Sequence, residues 1–311
     1  MAVTTQTFPL MKALVVADTC IVIAIAVTFY VTRQPETSAY AGSSSCSECH
    51  APFYQKWEHS HHGKAMQPVT DAFVQTQLTA LPEPLVVSNT LRYTLDLTRR
   101  MLYEHDHTAT TSYPILHALG GKNVFYFLTQ LDKGKLQTLP LAYNVAQKKW
   151  FHTTHSMVRH FLDANDAPLD WRDPMLTFNT SCFGCHVSQL EKNYDPKTDR
   201  YTTRWREPGI SCESCHGPCT EHVRYYKKHP AATGSTNLLL TSWRSFTPEQ
   251  NIYACAPCHA KMRPISERFV PGENYLDHYD LTCLEHADFS ADGRDLGENY
   301  TGWTSIGCRI R

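Results

Sequence analysis

The sequence lacks an excess of charge of either sign. Its 29 basic and 30 acidic side chains give a net charge of -1, and the isoelectric point is close to 7.0. A chain with this balance carries no bulk field that would attract nucleic acid or anionic lipid. Its short basic runs, such as Lys227-Lys228, are typical of solvated surface. We therefore expect no nucleic-acid partner.

A long apolar run lies near the N-terminus. Residues 13–31 carry one charge, Asp18, and are followed by a polar stretch. Because Ala39-Tyr40-Ala41 fits a signal-peptidase site, residues 1–41 are predicted to be either a signal peptide or an uncleaved membrane anchor. Asp18 leaves a buried core helix as a third alternative. The first two alternatives predict a periplasmic protein or one at the outer face of the cytoplasmic membrane.

The unusual counts are 12 cysteines and 17 histidines. So many cysteines indicate either disulfides in an exported chain or the ligation of metals and cofactors, and their spacing decides between the two. Four Cys-x-x-Cys-His motifs occur, numbered here in chain order. They are Cys46-Ser47-Glu48-Cys49-His50, Cys182-Phe183-Gly184-Cys185-His186, Cys212-Glu213-Ser214-Cys215-His216 and Cys255-Ala256-Pro257-Cys258-His259.

This motif is the attachment pattern of c-type haem. Its two thiols add across the haem vinyl groups, and the histidine that follows binds the iron as the proximal ligand. A zinc site needs no histidine after every cysteine pair, and a thioredoxin-like redox pair would need only one motif. The sequence therefore predicts four covalently bound haem c. The predicted attachment residues are Cys46, Cys49, Cys182, Cys185, Cys212, Cys215, Cys255 and Cys258, and the predicted proximal ligands are His50, His186, His216 and His259.

Four stretches carry a family resemblance. They are "WEHSHHGKAM" (57–66), "NTSCFGCHVSQLEKNYD" (179–195), "GISCESCHGPCTEHV" (209–223) and "CAPCHAKMRPISERFVPGENYLDHY" (255–279). Together they resemble the multihaem cytochromes c of the cytochrome c-554 type, relatives of hydroxylamine oxidoreductase and pentahaem nitrite reductase. The chain departs from that family at Cys219, where glycine is usual. No motif has lysine in place of its histidine, so the special catalytic motif of one relative is absent.

Further histidines are candidates for the second axial position of each iron. His62 matches the Ser-x-His position that the resemblance implies for a distal ligand. His59 and His61 are expected to face solvent or to form hydrogen bonds, with His61 as a substitute candidate for the ligand. His222 follows His216 too closely to reach the opposite face of the same haem, so we expect it on a neighbouring haem or hydrogen-bonded to a propionate. His278 is the next candidate. Weaker candidates are His117, His155 and His160, with Met157, Met175 and Met262 as alternatives.

The pattern along the chain predicts an α+β fold, with a mainly helical and irregular multihaem core, a β-rich insertion and an N-terminal hydrophobic helix. The predicted divisions are a first haem segment at 42–84, the β-rich insertion at 85–155 and a three-haem segment at 156–311 that packs with 42–84. Thr247-Pro248-Glu249-Gln250 predicts a helix start that leads into motif four. Since four apolar haems would form much of the core, we expect the haem-free chain to be poorly folded.

The leading functional hypothesis is a tetrahaem cytochrome that carries electrons between other redox proteins or cytochromes. The alternative is an oxidoreductase that acts on nitrite or hydroxylamine at a haem with an open coordination site. A haem-based sensor or a docking subunit is a third hypothesis, which membrane anchoring through residues 13–31 would suit. The spin state of the haems separates the first two hypotheses. All-low-spin haems favour the carrier, and a high-spin haem that binds a nitrogen compound favours the enzyme.

Overall fold

The computed structural model describes residues 40–156, 170–232, 238–260, 262–266 and 269–281. Six α-helices and sixteen β-strands lie within these residues. The helices are α1 (Ser44–Glu58), α2 (Asp71–Gln77), α3 (Phe183–His186), α4 (Cys212–His216), α5 (Thr220–Lys228) and α6 (Pro248–His259). The strands are β1 (Met66–Pro68), β2 (Leu85–Ser88), β3 (Leu91–Asp96), β4 (Met101–His105), β5 (Thr110–Pro114), β6 (His117–Gly120), β7 (Val124–Gln130), β8 (Leu136–Thr138), β9 (Leu141–Asn144), β10 (Lys149–His152), β11 (Val187–Ser188), β12 (Tyr194–Asp195), β13 (Arg200–Tyr201), β14 (Glu207–Pro208), β15 (Met262–Pro264) and β16 (Tyr279–Leu281).

Two antiparallel sheets contain the first ten strands. The six-stranded sheet has the order β1-β6-β7-β9-β10, with β8 also paired to β7, and the four-stranded sheet has the order β2-β3-β4-β5. Short connections explain the antiparallel pairing of consecutive strands. Gly120 and Gly121 turn the chain between β6 and β7 with φ angles of +83° and +117°, a backbone conformation that favours glycine.

The largest hydrophobic core joins these two sheets. Tyr93 of β3 and Leu102 of β4 pack in one cluster with Phe127 of β7 and Leu141 of β9, and each is 1% exposed. Full burial of such a side chain contributes roughly 1.5–3 kcal/mol. The strands therefore have a core built from protein side chains alone.

The segment that leads to motif two is fixed to this core. Gln137 of β8 is 1% exposed and donates from Nε2 to the carbonyl oxygens of Trp171 at 2.7 Å and Asp173 at 3.0 Å. Thr177 Oγ1 donates to Oε1 of the same glutamine at 2.8 Å. A buried amide whose hydrogen bonds are all satisfied in this way fixes the backbone that it contacts. The six-stranded sheet thus determines where motif two begins.

The prediction of a mainly helical fold with a hydrophobic N-terminal helix is wrong for the described residues. Three short hairpin-like sheets, β11–β14, β12–β13 and β15–β16, occupy the region after residue 156 that was expected to be helical. The reason is that the backbone between the attachment motifs forms hydrogen-bonded strands of two or three residues rather than helices. The helix start before motif four is present, with Thr247 and Gln250 forming a capping box.

The predicted hydrophobic helix at residues 13–31 lies outside the described residues. In the ranges that the structure does describe, no helix combines the length and the apolar character needed to cross a bilayer. Strands β2 to β10 fall within residues 85–155, but β1 joins the same six-stranded sheet from the first haem segment. The division into a haem core and an insertion stays a prediction.

Candidate functional site

Each of the four cysteine motifs lies on a helix. Motif one occupies the first turns of α1, motif two includes α3, motif three forms α4, and motif four is the end of α6. One helical turn sets the separation of the two thiols in each motif, and all eight cysteines are free. The histidine directly after the second cysteine of each motif lies at or just past the end of the same turn.

Helix interruptions orient two of these histidines. Pro52 lies inside α1, and the helix is kinked at His50, whose backbone is non-helical with φ -115° and ψ 33°. Gly217 ends α4 directly after His216 with φ +68°, and a Cβ atom there would lie 3.2 Å from Thr241 Oγ1. Glycine therefore allows the chain to leave motif three in a direction that another residue would adopt only with strain.

Backbone carbonyls fix the ring orientation of three histidines. The Nδ1 atom of His186 donates to the carbonyl of Ala65 at 2.6 Å, and that of His222 donates to the carbonyl of Leu238 at 2.7 Å. In motif three, His216 Nδ1 donates to the carbonyl oxygen of Thr241, which lies beyond α5 in the chain, at 3.1 Å. A proton held on Nδ1 leaves Nε2 as the metal-binding nitrogen. Burial also lowers the pKa of His186, which favours the neutral imidazole that a metal requires.

Two motif histidines each face a second histidine from a distant part of the chain. The ring centres of His50 and His222 are 6.2 Å apart with an interplanar angle of 21°, and those of His62 and His259 are 6.2 Å apart at 76°. Two imidazole nitrogens bound to one metal at about 2 Å each, as metal–imidazole bonds are, place their ring centres roughly 6 Å apart. Both pairs therefore fit the two axial positions of one haem iron.

The structure brings His278, the other predicted distal ligand, to a different partner. Its Nε2 atom lies 3.1 Å from Glu273 Oε2, and its ring contacts Phe269 at 5.5 Å between centres. Its Nδ1 atom is buried without a hydrogen-bond partner among the described residues. His278 as an iron ligand stays a prediction.

The weaker candidates give a mixed result. His117 lies on β6 against Trp205, with ring centres 5.5 Å apart, and burial lowers its pKa. Met175 is 50% exposed, and Met262 begins β15. The predictions for Met157 and His160 fall outside the described residues, as does the side chain of His155.

Cysteines of different motifs lie near one another, and they show which motifs are neighbours in space. Cys46 of motif one and Cys212 of motif three lie close together, and their interaction raises the pKa of Cys46 and lowers that of Cys212. The pKa of Cys215, in motif three, is raised to about 11 by burial and also by the nearby Cys255 of motif four.

Motif four in turn contacts motif two. The Cys185 thiol donates to the carbonyl of Cys258 at 3.8 Å, and the Cys258 thiol donates to the carbonyl of Gly184 at 3.5 Å. Adjacent motifs are thus one and three, three and four, and four and two. The order in space differs from the order in the sequence because the segments between the motifs fold back on one another.

Sequence reasoning missed two side chains that join motif one to motif three. Glu213, inside motif three, accepts hydrogen bonds from backbone N–H groups that immediately precede motif one. Trp57, near the end of α1, donates from Nε1 to the carbonyl of Ile210 at 2.7 Å. A sequence signal was available for Trp57, because it lies in the stretch "WEHSHHGKAM" that resembles the family. None was available for Glu213, because motif one also contains a glutamate, Glu48, and that one is exposed.

Helix-borne Cys-x-x-Cys-His motifs with facing histidines are features expected of a multihaem cytochrome c. A family model described as "Cytochrome c554 and c-prime" matches residues 45–84 and 143–217. These residues include motifs one, two and three. The match confirms the resemblance to multihaem cytochromes c that the sequence predicted.

Two solved structures to which the chain is similar are named as cytochromes. The outer cell wall cytochrome OcwA superposes with a TM-score of 0.50 and 17% identity, over 82% of this chain and 48% of that one. An undecahaem cytochrome from the S-layer of Carboxydothermus ferrireducens gives a TM-score of 0.42 and 18% identity, over 72% of this chain and 26% of that one. The chain thus spans about half the length of OcwA. A search of curated proteins found no similar sequence.

Proposed function

We propose that the chain is a tetrahaem c-type cytochrome that carries electrons between redox partners outside the cytoplasm. Haem c, when bound, supplies a one-electron ferric/ferrous couple. The protein would contribute thiols for attachment at all four motifs and a pair of imidazoles for each of the irons at motifs one and four. The observation that carries this proposal is the two pairs of facing histidines, His50 with His222 and His62 with His259, with ring centres 6.2 Å apart in each pair.

Facing imidazoles favour a carrier over a catalyst at motifs one and four. An iron that holds two protein nitrogens has no open position for a substrate, so its chemistry is limited to gain and loss of an electron. The proximity of motif one to motif three, of motif three to motif four and of motif four to motif two supports a linear array of attachment sites. In such an array, motifs one and two are the ends at which redox partners would exchange electrons.

The proposed location follows from the N-terminal apolar run and from the chemistry. A signal peptide or anchor at residues 1–41 would carry the motifs out of the cytoplasm, to the periplasm or the outer face of the membrane. OcwA is described as an outer cell wall cytochrome, and that name agrees with such a location. The partners we propose are other redox proteins or cytochromes.

Electron paramagnetic resonance of the oxidised mature protein tests the carrier proposal. We expect low-spin signals from the haems of motifs one and four. The near-parallel ring planes of His50 and His222 predict a rhombic signal, whereas the near-perpendicular planes of His62 and His259 predict a strongly anisotropic one. High-spin iron at both motifs, or loss of the low-spin signals on addition of nitrite or hydroxylamine, would favour the oxidoreductase instead.

A further inference from the structure

A buried carboxylate lies between motifs one and three. Glu213 follows the first cysteine of motif three and is 2% exposed. Its Oε1 atom accepts hydrogen bonds from the backbone N–H groups of Ala41 and Cys219, and its Oε2 atom accepts one from Gly42, all at 2.8 Å. Hydrogen bonds to an ionised carboxylate are stronger than neutral ones. Glu213 therefore holds the chain before motif one against the chain around motif three.

A second carboxylate supports the same junction. Glu207 Oε1 accepts from the backbone N–H of Ser43 at 2.7 Å, and Ser43 Oγ in turn accepts from the backbone N–H of Cys212 at 3.0 Å. Ser43 is 1% exposed and precedes helix α1, whose N-terminal end favours nearby negative charge. Motif one and motif three are therefore fixed to each other by buried polar contacts.

Neither carboxylate has a basic side chain as its partner in the part of the chain that the structure describes. All the hydrogen bonds of Glu213 and Glu207 there come from backbone N–H groups. The backbone N–H of Cys46 donates to the carbonyl of Ser43 at 3.0 Å, and that of Cys212 donates to Ser43 Oγ at 3.0 Å, so both attachment sites lie at this junction. In a low-dielectric interior, an unneutralised negative charge acts strongly on neighbouring groups.

We infer that Glu213 positions motifs one and three and that its negative charge lowers the reduction potential of the haems attached there. The inference rests on the proposed attachment of haem to these two motifs. Reduction of the iron adds one electron, so a fixed negative charge nearby opposes it and favours the ferric state. Glu207 acts in the same direction with a smaller effect, because it is only partly buried and solvent screens its charge more than that of Glu213.

A potentiometric titration of the mature protein and of Glu213→Gln tests the inference. The absorbance change is fitted with four one-electron components. We expect two components to move to higher potential, with at least a tenfold change in their reduction equilibrium constant, or about 59 mV. The matched control is Glu48→Gln, which also neutralises a glutamate inside a cysteine motif. Glu48 is 56% exposed and paired with Lys227 at 3.0 Å, so its removal should leave all four components unchanged.

Two more variants keep the test decisive. Glu213→Asp retains the charge and should keep potentials near those of the unmodified protein, which a purely structural role would not require. If Glu213→Gln does not acquire haem, Glu207→Gln is measured instead. We then expect a smaller upward shift of the same two reduction potentials. Mature variants with unchanged potentials overturn the inference but leave the proposed function intact. An unmodified protein without haem on motifs one and three would overturn the proposed function itself.

Discussion

Two regions of this chain obtain their buried surface in different ways. The strand region, from Leu85 to His152, encloses side chains such as Tyr93 and Phe127 that are 1% exposed. Helix α1, which carries motif one, contains no buried residue, and neither does α5, which follows motif three. Phe53, which follows motif one on α1, is 76% exposed. Helix α6 differs from these two, because it buries Tyr253 and Ala256 in a small protein core. The difference indicates that the strand region stabilises itself, whereas α1 and α5 need cofactors against which to pack.

The largest expected effect comes from preventing haem attachment. In a chain produced without haem attachment, we expect slow amide hydrogen exchange to persist in β3, β4, β7 and β9 but to be lost from α1 and α5, which contain no buried residue. Hydrogen-exchange mass spectrometry of the haem-free and mature proteins measures this. Equal protection of the helices in both forms would contradict the account, as would global loss of protection in the strands.

A cavity made in the strand region tests whether the side chains of that region supply its stability. Phe127→Ala should lower the free energy of unfolding by about 3–5 kcal/mol, because the side chain lies in the core that joins the two sheets. Chemical denaturation of the mature protein measures the loss. The control is Val86→Ala on β2, where 67% exposure predicts a change within about 0.5 kcal/mol. Similar losses in both variants would show that the strands do not stabilise themselves.

Removal of one facing histidine should change the spin state of one haem and leave that of the other three haems unchanged. We expect His222→Ala to convert the haem of motif one to high spin, and His62→Ala to do so for the haem of motif four. Electron paramagnetic resonance and the high-spin absorption band report the change. His61→Ala is the matched control, since this exposed neighbour of His62 should leave every haem low-spin. Conversion of the same haem by both His61→Ala and His62→Ala would refute the assignment.

The cysteine motifs were predictable from sequence because attachment chemistry is local. Two thiols and an imidazole within five residues carry the whole signal, and the Thr247 capping box is local in the same way. The short sheets were not predictable, because strands of two residues such as β12 and β13 carry no periodicity. Their pairing depends on contacts such as Tyr194 with Tyr201, whose ring centres are 4.7 Å apart.

Tertiary contacts also decided which histidines meet. Nothing in the sequence around His222 indicates that it faces His50 in particular, since the two come together only when motif three folds against motif one. Glu48 and Glu213 illustrate the same point. Both lie between the cysteines of a motif, yet one is exposed and paired with a lysine while the other is buried among backbone N–H groups. Sequence position alone cannot separate these environments.

The central claim is that all four motifs carry haem through thioether bonds. Intact mass spectrometry of the mature protein, made in cells that attach haem c, measures it most directly when combined with peptide mapping. We predict the polypeptide mass plus four haems, with one haem on each peptide that contains Cys46, Cys182, Cys212 or Cys255. A mature protein with fewer covalent haems, or with a motif peptide that carries two free thiols, would contradict the account.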